Sequence, residues 1–120
     1  MRKITDGELR KILEEHERWR DTDEKEGKRA DLSDAILSGA DLSNAKLSNA
    51  KLLCANMGNT NLRGANLAQA LLSIHILSSV ETLYEAELDP ELMEQVKDKY
   101  PHLLEKPEYY EEEEEEEDEE

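Results

Sequence analysis

The chain has 120 residues and a formal net charge of −16, of which the ten acidic residues at positions 111–120 contribute −10. This length allows a single domain with a modest core. A single cysteine excludes an internal disulfide and a thiol-ligated metal cluster. No apolar run approaches the roughly 20 residues that cross a bilayer, and the first residues lack the apolar stretch of a secretory signal. We therefore expect a cytoplasmic protein with no membrane contact.

A helix is predicted near the N-terminus. Thr5 and Glu8 have the spacing of a capping box, which opens helices. Apolar and aromatic side chains then recur at helical spacing on one face: Leu9, Ile12, Leu13, His16 and Trp19. We expect an amphipathic helix over about Asp6 to Arg20 that covers the first coil of the structure described next, with residues 21–29 as a polar connector.

From residue 30 onward the sequence repeats every five residues. Leu or Met stands at each repeat centre from Leu32 to Leu77, and an alanine stands two residues before most of these centres. Five residues advance about 500° on an α-helix and change the face of a strand, so neither element gathers the leucines on one face. Short extended pieces do so if the chain turns after each centre, where Ser, Asn, Asp and Gly are frequent. The period therefore predicts a solenoid of short strands and corners with Leu and Ala inside.

The segment ADLSDAILSGADLSNAKLSNAKL, residues 30–52, resembles the pentapeptide-repeat proteins, whose motif is A-(D/N)-L-X-X. The resemblance covers about Ala30 to Leu77 and implies a right-handed quadrilateral β-helix with four pentapeptides per coil. We thus expect an all-β solenoid of about three coils. The next plausible centres, Leu83 and Leu88, are displaced by one residue, so the third coil should be irregular, with a bulge near residues 78–82.

A second helix is predicted after the repeats. Asp89 and Pro90 have the sequence of a helix start, with Asp as N-cap and Pro in the first turn. The helix Pro90 to Lys99 should present Leu92 and Val96 to the last coil, and a proline ends it.

The chain is accordingly divided into four segments. They are the N-terminal capping helix with its connector, the β-helix, the C-terminal capping helix with its loop, and an acidic tail: residues 1–29, 30–89, 90–107 and 108–120. The tail should be disordered, because its like charges repel and almost nothing apolar remains to be buried.

No group of residues predicts catalysis, a cofactor or a metal ion. His16, His75 and His102 fall on three different segments, so their spacing does not indicate a metal site. We expect His75 at an inward position of the third coil and Trp19 in the packing of the cap. Cys54 falls at an outward corner, with no histidine near it in the register to make it a nucleophile. The protein is predicted not to be an enzyme.

Apolar residues on the outside of the coils indicate a contact surface. Leu53, Cys54, Leu71 and Ile74 should share one side of the solenoid, and Ile36 and Ile76 should face outward on the next. Two readings stay open: a terminal helix or the segment at Tyr109-Tyr110 covers them, or they bind a partner protein or a second copy of the chain.

The acidic tail provides the other candidate contacts, either as a handle for a basic partner or only as a solubilising segment. Its residues are Glu111, Glu112, Glu113, Glu114, Glu115, Glu116, Glu117, Asp118, Glu119 and Glu120.

These features favour a non-catalytic scaffold or adaptor that acts by protein–protein interaction through the β-helix faces and the acidic tail. The alternative that the resemblance implies is a DNA-mimicking protein that acts on a nucleic-acid enzyme such as DNA gyrase. Three coils give a rod of about 15 Å, along which duplex DNA would carry roughly nine charges. Residues 30–89 contain seven acidic and three basic residues, a net charge of only −4. The acidic balance also argues against direct binding of nucleic acid.

Overall fold

The structure is a computed structural model, and it describes residues 1–107. The expectations for the acidic tail, residues 108–120, lie outside the described residues. In chain order the elements are a short strand, a helix, a second short strand, a one-turn helix, a third helix and a 3₁₀ turn: β1 (Arg2–Lys3), α1 (Asp6–Asp21), β2 (Ala35–Ile36), α2 (Ile74–Leu77), α3 (Pro90–Lys99) and Pro101–Leu104.

The repeats form a solenoid of the β-helix type. Parallel bridges join residues 20 apart, such as Asp31 with Lys51 and Lys51 with Leu71. Since 20 residues hold four pentapeptides, each coil is made of four five-residue sides. In the first coil, sides 1, 2, 3 and 4 are residues 30–34, 35–39, 40–44 and 45–49, and each lies under the residues 20 positions later.

A left-handed backbone conformation ends each side. Every fifth residue from 34 to 69 has a φ between 58° and 75°. Gly and Asn occupy five of these eight positions and accept this φ at low cost, whereas Cys54 and Gln69 do not. The turn residues predicted after each repeat centre therefore stand where the chain changes direction.

The Asp or Asn of the motif supports the same turns. The side-chain oxygen of Asp41 accepts a hydrogen bond from the backbone N–H of Ser43 at 3.0 Å, and Asn61 and Asn66 do the same two residues further on. Such a contact reproduces a backbone turn with a side chain. This local role explains why Asp and Asn recur before the central Leu.

The inward positions form one apolar core. Leu32, Leu37, Leu52 and Met57 are at most 2% exposed, as the predicted register requires. Thr60 replaces an inward alanine, and its hydroxyl donates to the Leu37 carbonyl at 2.8 Å, so the buried polar atom has a partner.

The third coil contains one additional residue. Its bridges on sides 3 and 4 join residues 21 apart, Asn61 with Thr82 and Asn66 with Glu87, which is the predicted displacement. Helix α2 lies before these bridges. His75 is exposed and Leu77 is buried, so the inward position predicted for His75 is wrong. Residues two apart share a face in an extended segment but lie about 200° apart on a helix, and α2 therefore turns His75 outward.

Helical segments pack on both ends of the coils. The capping box of Thr5 and Glu8 opens α1, and the apolar face of α1 packs against the core at the first coil. At the other end Val96 and Leu103 are buried, and the Leu103 carbonyl accepts from the N–H of Leu83 at 2.8 Å. Asp89 stands at the N-cap of α3 as predicted, but its side chain does not cap the helix. The carboxylate accepts from the N–H of Gln69 instead, at 2.9 Å.

Candidate functional site

The exposed apolar residues of the coils lie on side 1. The side chains of Leu53 and Leu71 are 50% and 43% exposed, and the neighbouring Cys54 is an exposed free thiol. The bridge between Lys51 and Leu71 stacks their segments, and Leu53 follows Lys51 by two residues, in the turn that ends side 1. We call Leu53, Cys54 and Leu71 the side 1 patch.

The three isoleucines predicted beside this patch are less accessible. Ile74 and Ile76 belong to α2, are half-buried and pack against the core. Ile36 is half-buried in β2, where it pairs with Lys3 of β1. The structure therefore brings three of the six predicted apolar residues together on one exposed surface. The predicted contacts at Glu111–Glu120 lie beyond the part of the chain that the structure describes.

A departure from the repeat marks the patch in the sequence. The position directly after the central Leu is serine on every side of the first coil, namely Ser33, Ser38, Ser43 and Ser48. Leu53 occupies the same position one coil later, where the side chain faces solvent. A leucine at an outward position of a regular repeat has no packing role inside the coils, and two neighbouring ones favour a contact with another molecule.

The N-terminal end carries polar contacts that the sequence did not reveal. His16 is fully buried: its Nε2 donates to the Ser48 carbonyl at 2.8 Å, and its Nδ1 accepts from the N–H of Ala30 at 2.9 Å. This pairing requires the neutral ring with the proton on Nε2. Arg2 Nη2 donates to the Asp31 carbonyl at 2.6 Å, and Arg29 Nε donates to the Asn49 carbonyl. Arg2 and His16 thereby satisfy the Asp31 and Ser48 carbonyls, whose equivalents in the second coil accept from the first coil.

Burial and charge both act on His16. Desolvation lowers the pKa of His16 below its ordinary value, and the nearby Arg20 and Arg29 charges lower it further, although the hydrogen bond to Ser48 opposes them. Trp19 stacks on the imidazole with 5.6 Å between ring centroids, as expected for a residue of the cap packing. The only strong signal for this arrangement in the sequence was the helical spacing of His16 and Trp19.

Two of the three carboxylates of the first coil, those of Asp31 and Asp41, accept hydrogen bonds within the turns. Hydrogen bonds from Ser33 lower the pKa of Asp31, and those from Ser43 lower the pKa of Asp41. Both carboxylates are thus held ionised as acceptors of local hydrogen bonds.

Residues 1–107 contain no group of three or more His, Cys, Asp or Glu side chains suited to a metal ion. Among the described helices, none has the length and apolar character needed to cross a bilayer.

The repeat segment was compared with models of known protein families. The family model described as Pentapeptide repeats (8 copies) matches residues 28–64. A comparison with curated proteins found no match. The matched range contains the first coil and three sides of the second, where the bridges and left-handed turns are most regular. Residues 28–64 therefore match the pentapeptide-repeat family, as the resemblance of the sequence predicted.

Proposed function

We propose that this protein is a non-catalytic scaffold that binds a partner protein through the side 1 patch. The observation that carries the proposal is the pair of half-exposed leucines, Leu53 and Leu71, side by side on coils whose other outward positions are mostly polar. The pentapeptide-repeat family suggests an interaction scaffold. A partner that covers the patch would remove both side chains from water, which favours association.

The proposal includes the handedness, the four-sided cross-section and the capped ends that the family resemblance implies. The solenoid is a right-handed quadrilateral β-helix of about three coils over residues 30–89. Residues 1–29 and 90–107 are its caps, and residues 108–120 form the acidic tail. The burial of His16 and Val96 against the two ends supports the capping role. We place the protein in the cytoplasm.

The described side chains support a role without catalysis. His16 engages both ring nitrogens with backbone groups, so it has no free nitrogen to accept a proton from a substrate. His75 and His102 are exposed on separate segments, α2 and the 3₁₀ turn. A general acid or base acts from a position held near the reacting group, and these residues offer no shared site.

The partner we propose is basic. Ten acidic residues at positions 111–120 would attract it over about 8–10 Å at physiological salt, which steers the encounter without specifying it. DNA mimicry has less support. Lys46, Lys51 and Arg63 stand on sides 4, 1 and 3 and interrupt the negative charge of the coils.

The test compares three forms of the full chain as bait in quantitative affinity capture from the source cell. Leu53→Asp combined with Leu71→Asp places two negative charges in the patch. Ser38→Asp is the control and places one negative charge on side 2, at the repeat position that corresponds to Leu53. We expect a protein that the unchanged chain and Ser38→Asp both capture, and that the double variant loses. Capture of the same proteins by all three forms would contradict the proposal.

Sedimentation equilibrium of the purified protein shows whether the patch binds a second copy of the chain or a different protein. Self-association that the double variant abolishes identifies side 1 as a homodimer surface instead of a partner surface. Truncation after residue 107, measured in a salt series, then separates a steering tail from a solubilising one: only a steering tail makes capture salt-sensitive.

A further inference from the structure

We infer that the edge of the first coil on side 3 is a second docking site, which takes an extended basic and apolar segment of a partner protein as an added parallel strand. The inference rests on the proposed interaction function only in that the ligand is a protein. It concerns a different surface from the side 1 patch and is tested with different variants.

On the other three sides, residues of the chain itself contact the edge of the first coil. On side 2, β1 pairs with β2 in parallel. On side 1 the guanidinium of Arg2 binds the Asp31 carbonyl, and on side 4 His16 and Arg29 bind the carbonyls of Ser48 and Asn49. The contacts of Arg2 and His16 take the place of a neighbouring coil, because the equivalent carbonyls one coil later, those of Lys51 and Ala68, accept from the first coil.

Side 3 lacks such a partner within residues 1–107. One coil higher, the N–H of Asn61 donates to Ala40 and the carbonyls of Asn61 and Arg63 accept from Leu42 and Asn44. The equivalent groups at the edge are the N–H of Asp41 and the carbonyls of Asp41 and Ser43, and no described residue hydrogen-bonds to them. One donor and two acceptors thus remain in the arrangement that binds a parallel strand, which is the basis of recognition by strand addition.

A groove lies beside this edge. It has a volume of about 550 Å³ and separates α1 from sides 3 and 4 of the first coil. Its apolar floor comprises Leu9, Leu13, Ala40 and Ala45, all of which are half-buried. The inward alanines of sides 1 and 2, Ala30 and Ala35, are in contrast at most 1% exposed. The end packing is therefore complete over sides 1 and 2 and incomplete over side 3.

The lining charges select a cationic ligand. Asp6, Glu14, Glu17 and Asp41 contribute four negative charges against two positive charges from Arg10 and Lys46. Lys46 lies 3.3 Å from Glu17, and these two charges compensate each other. Three carboxylates then remain against the single charge of Arg10. Strand β1, which occupies the adjacent side of the same edge in parallel, is itself the basic pair Arg2–Lys3.

An occupant of side 3 should thus be extended, with apolar side chains toward Leu9 and Ala40 and basic ones toward the carboxylates. The acidic residues 111–120 of this chain do not fit, because the groove would repel them.

The probe is a set of short labelled peptides mixed with the full chain and followed by fluorescence polarisation. Lys-Ile-Lys-Ile-Lys has the proposed chemistry, Glu-Ile-Glu-Ile-Glu reverses the charge, and Lys-Ile-Pro-Ile-Lys removes one ladder N–H. We expect saturable binding of the first peptide, weaker binding of the proline peptide and no binding of the acidic peptide. Equal binding of the proline peptide would show a charge contact without strand pairing and would overturn the inference.

Two pairs of variants locate the site. Asp41→Pro removes the edge N–H on side 3, and Asp31→Pro makes the same change at the same repeat position on side 1. Proline is tolerated at an edge position whose N–H is unpaired. Because this hydrogen bond is lost, Asp41→Pro should bind the peptide about fivefold more weakly than the unchanged chain. Asp31→Pro should bind it as tightly as the unchanged chain. Glu14→Lys should weaken binding about tenfold through like-charge repulsion, whereas Glu94→Lys, at an exposed position of α3, should not.

Amide hydrogen exchange of the unchanged protein gives a readout that does not depend on any variant. Exchange at the Asp41 N–H should slow when Lys-Ile-Lys-Ile-Lys is added, and exchange at the Asp31 N–H should not. Binding without protection at Asp41 overturns the inference. So does concentration-dependent self-association that Asp41→Pro abolishes, since a second copy would then be the occupant. Neither result touches the side 1 patch, because Leu53 and Leu71 are unchanged in every one of these variants.

Discussion

Inside the coils the same two inward positions are filled in every repeat, whereas at the N-terminal end each contact is made by a different residue. Leu32, Leu37 and Leu52 occupy equivalent repeat positions, and each is buried in the same apolar core. The end depends on the guanidinium of Arg2, the imidazole of His16 and the guanidinium of Arg29. In a stack of similar layers, the same residue types can pack every interior layer, but residues outside the repeat must cover the two ends.

This difference determines what a substitution does. A change inside the coils alters apolar burial, which is large and similar at every site. A change at the end removes a specific hydrogen bond or a specific close approach, and its cost depends on the local geometry. The following four experiments test the contrast, beginning with the largest expected effect.

Adjacent leucines on side 1 should respond in opposite ways. Leu52 is fully buried and Leu53 is 50% exposed. Leu52→Asp should lower the free energy of unfolding by more than about 4 kcal/mol, because it places an unpaired charge in an apolar core and leaves a cavity. That is close to the whole free energy of unfolding of a small domain at the low end of the usual range, about 5 kcal/mol. Leu53→Asp should change it by less than about 0.5 kcal/mol. Circular dichroism and urea titration measure both, and a folded Leu52→Asp at neutral pH would defeat the register.

Two glycines with the same φ should differ in their tolerance of alanine. Gly27 and Gly39 both have a φ of 75°. A Cβ on Gly27 would meet the backbone of α1, at 2.8 Å from the Trp19 nitrogen, whereas Gly39 has nothing within 4 Å. Gly39→Ala should cost about 1 kcal/mol for the left-handed conformation alone. Gly27→Ala should cost at least about 2 kcal/mol, because the connector must move away from the helix. Equal changes in the midpoint of thermal unfolding would show that the contact does not matter.

The N-terminal end should be sensitive to acid. The pKa of His16 is lower in the folded state than in the unfolded chain, so the unfolded state binds more protons below the ordinary value of about 6.5. The contribution of neutral His16 is therefore fully present above that pH and is lost as the pH falls toward the folded pKa. The loss is at most about 1.4 kcal/mol per pH unit.

Urea unfolding between pH 7.5 and 5 measures this loss, and His16→Gln should remove that part of the pH dependence. The exposed His75 provides the matched control, since His75→Gln should retain it. A pH profile that His16→Gln leaves unchanged would contradict the assignment of the neutral ring.

The smallest effect is expected at the corners. Cys54 and Asn59 have φ values of 60° and 58° at equivalent positions of adjacent sides. Asparagine accepts this conformation better than cysteine, so Cys54→Asn should stabilise the protein by about 0.5–1 kcal/mol and Asn59→Cys should destabilise it by a similar amount. Differential scanning calorimetry resolves changes of this size. Shifts of the same sign in the two variants would show that packing, not φ, controls these corners.

The contrast also explains what the sequence could predict. The period of five placed Leu52 inside and Cys54 at a corner, because every repeat supports the same register. The capping box of Thr5 and Glu8 and the Asp89-Pro90 pair located the helices, since both signals are local. Even the displacement at Leu83 was visible as a shift of the period.

What could not be predicted depends on single contacts between distant residues. The dipeptide Arg2–Lys3 has no strand signal of its own. It is a strand only because it pairs with Ala35–Ile36, more than 30 residues later in the chain. His16 appeared as one more residue on an amphipathic face, although it bonds backbone groups 14 and 32 residues away. His75 was placed inward because the repeat was extended through a segment that forms a helix. The open edge on side 3 is visible only when the contacts of all four sides are compared.

The separation of the bridges has a consequence for how such a chain can change in length. Successive layers are joined at 20 residues, so a duplication of four pentapeptides adds a layer and leaves every later segment at its former angle about the axis. Insertion of a single pentapeptide keeps the interior pattern but rotates everything after it by one side. Helix α3 and the Leu103 contact with Leu83 would then stand over a different side relative to α1. In this architecture, gene duplication keeps the relative orientation of the two ends only when it adds a multiple of four pentapeptides.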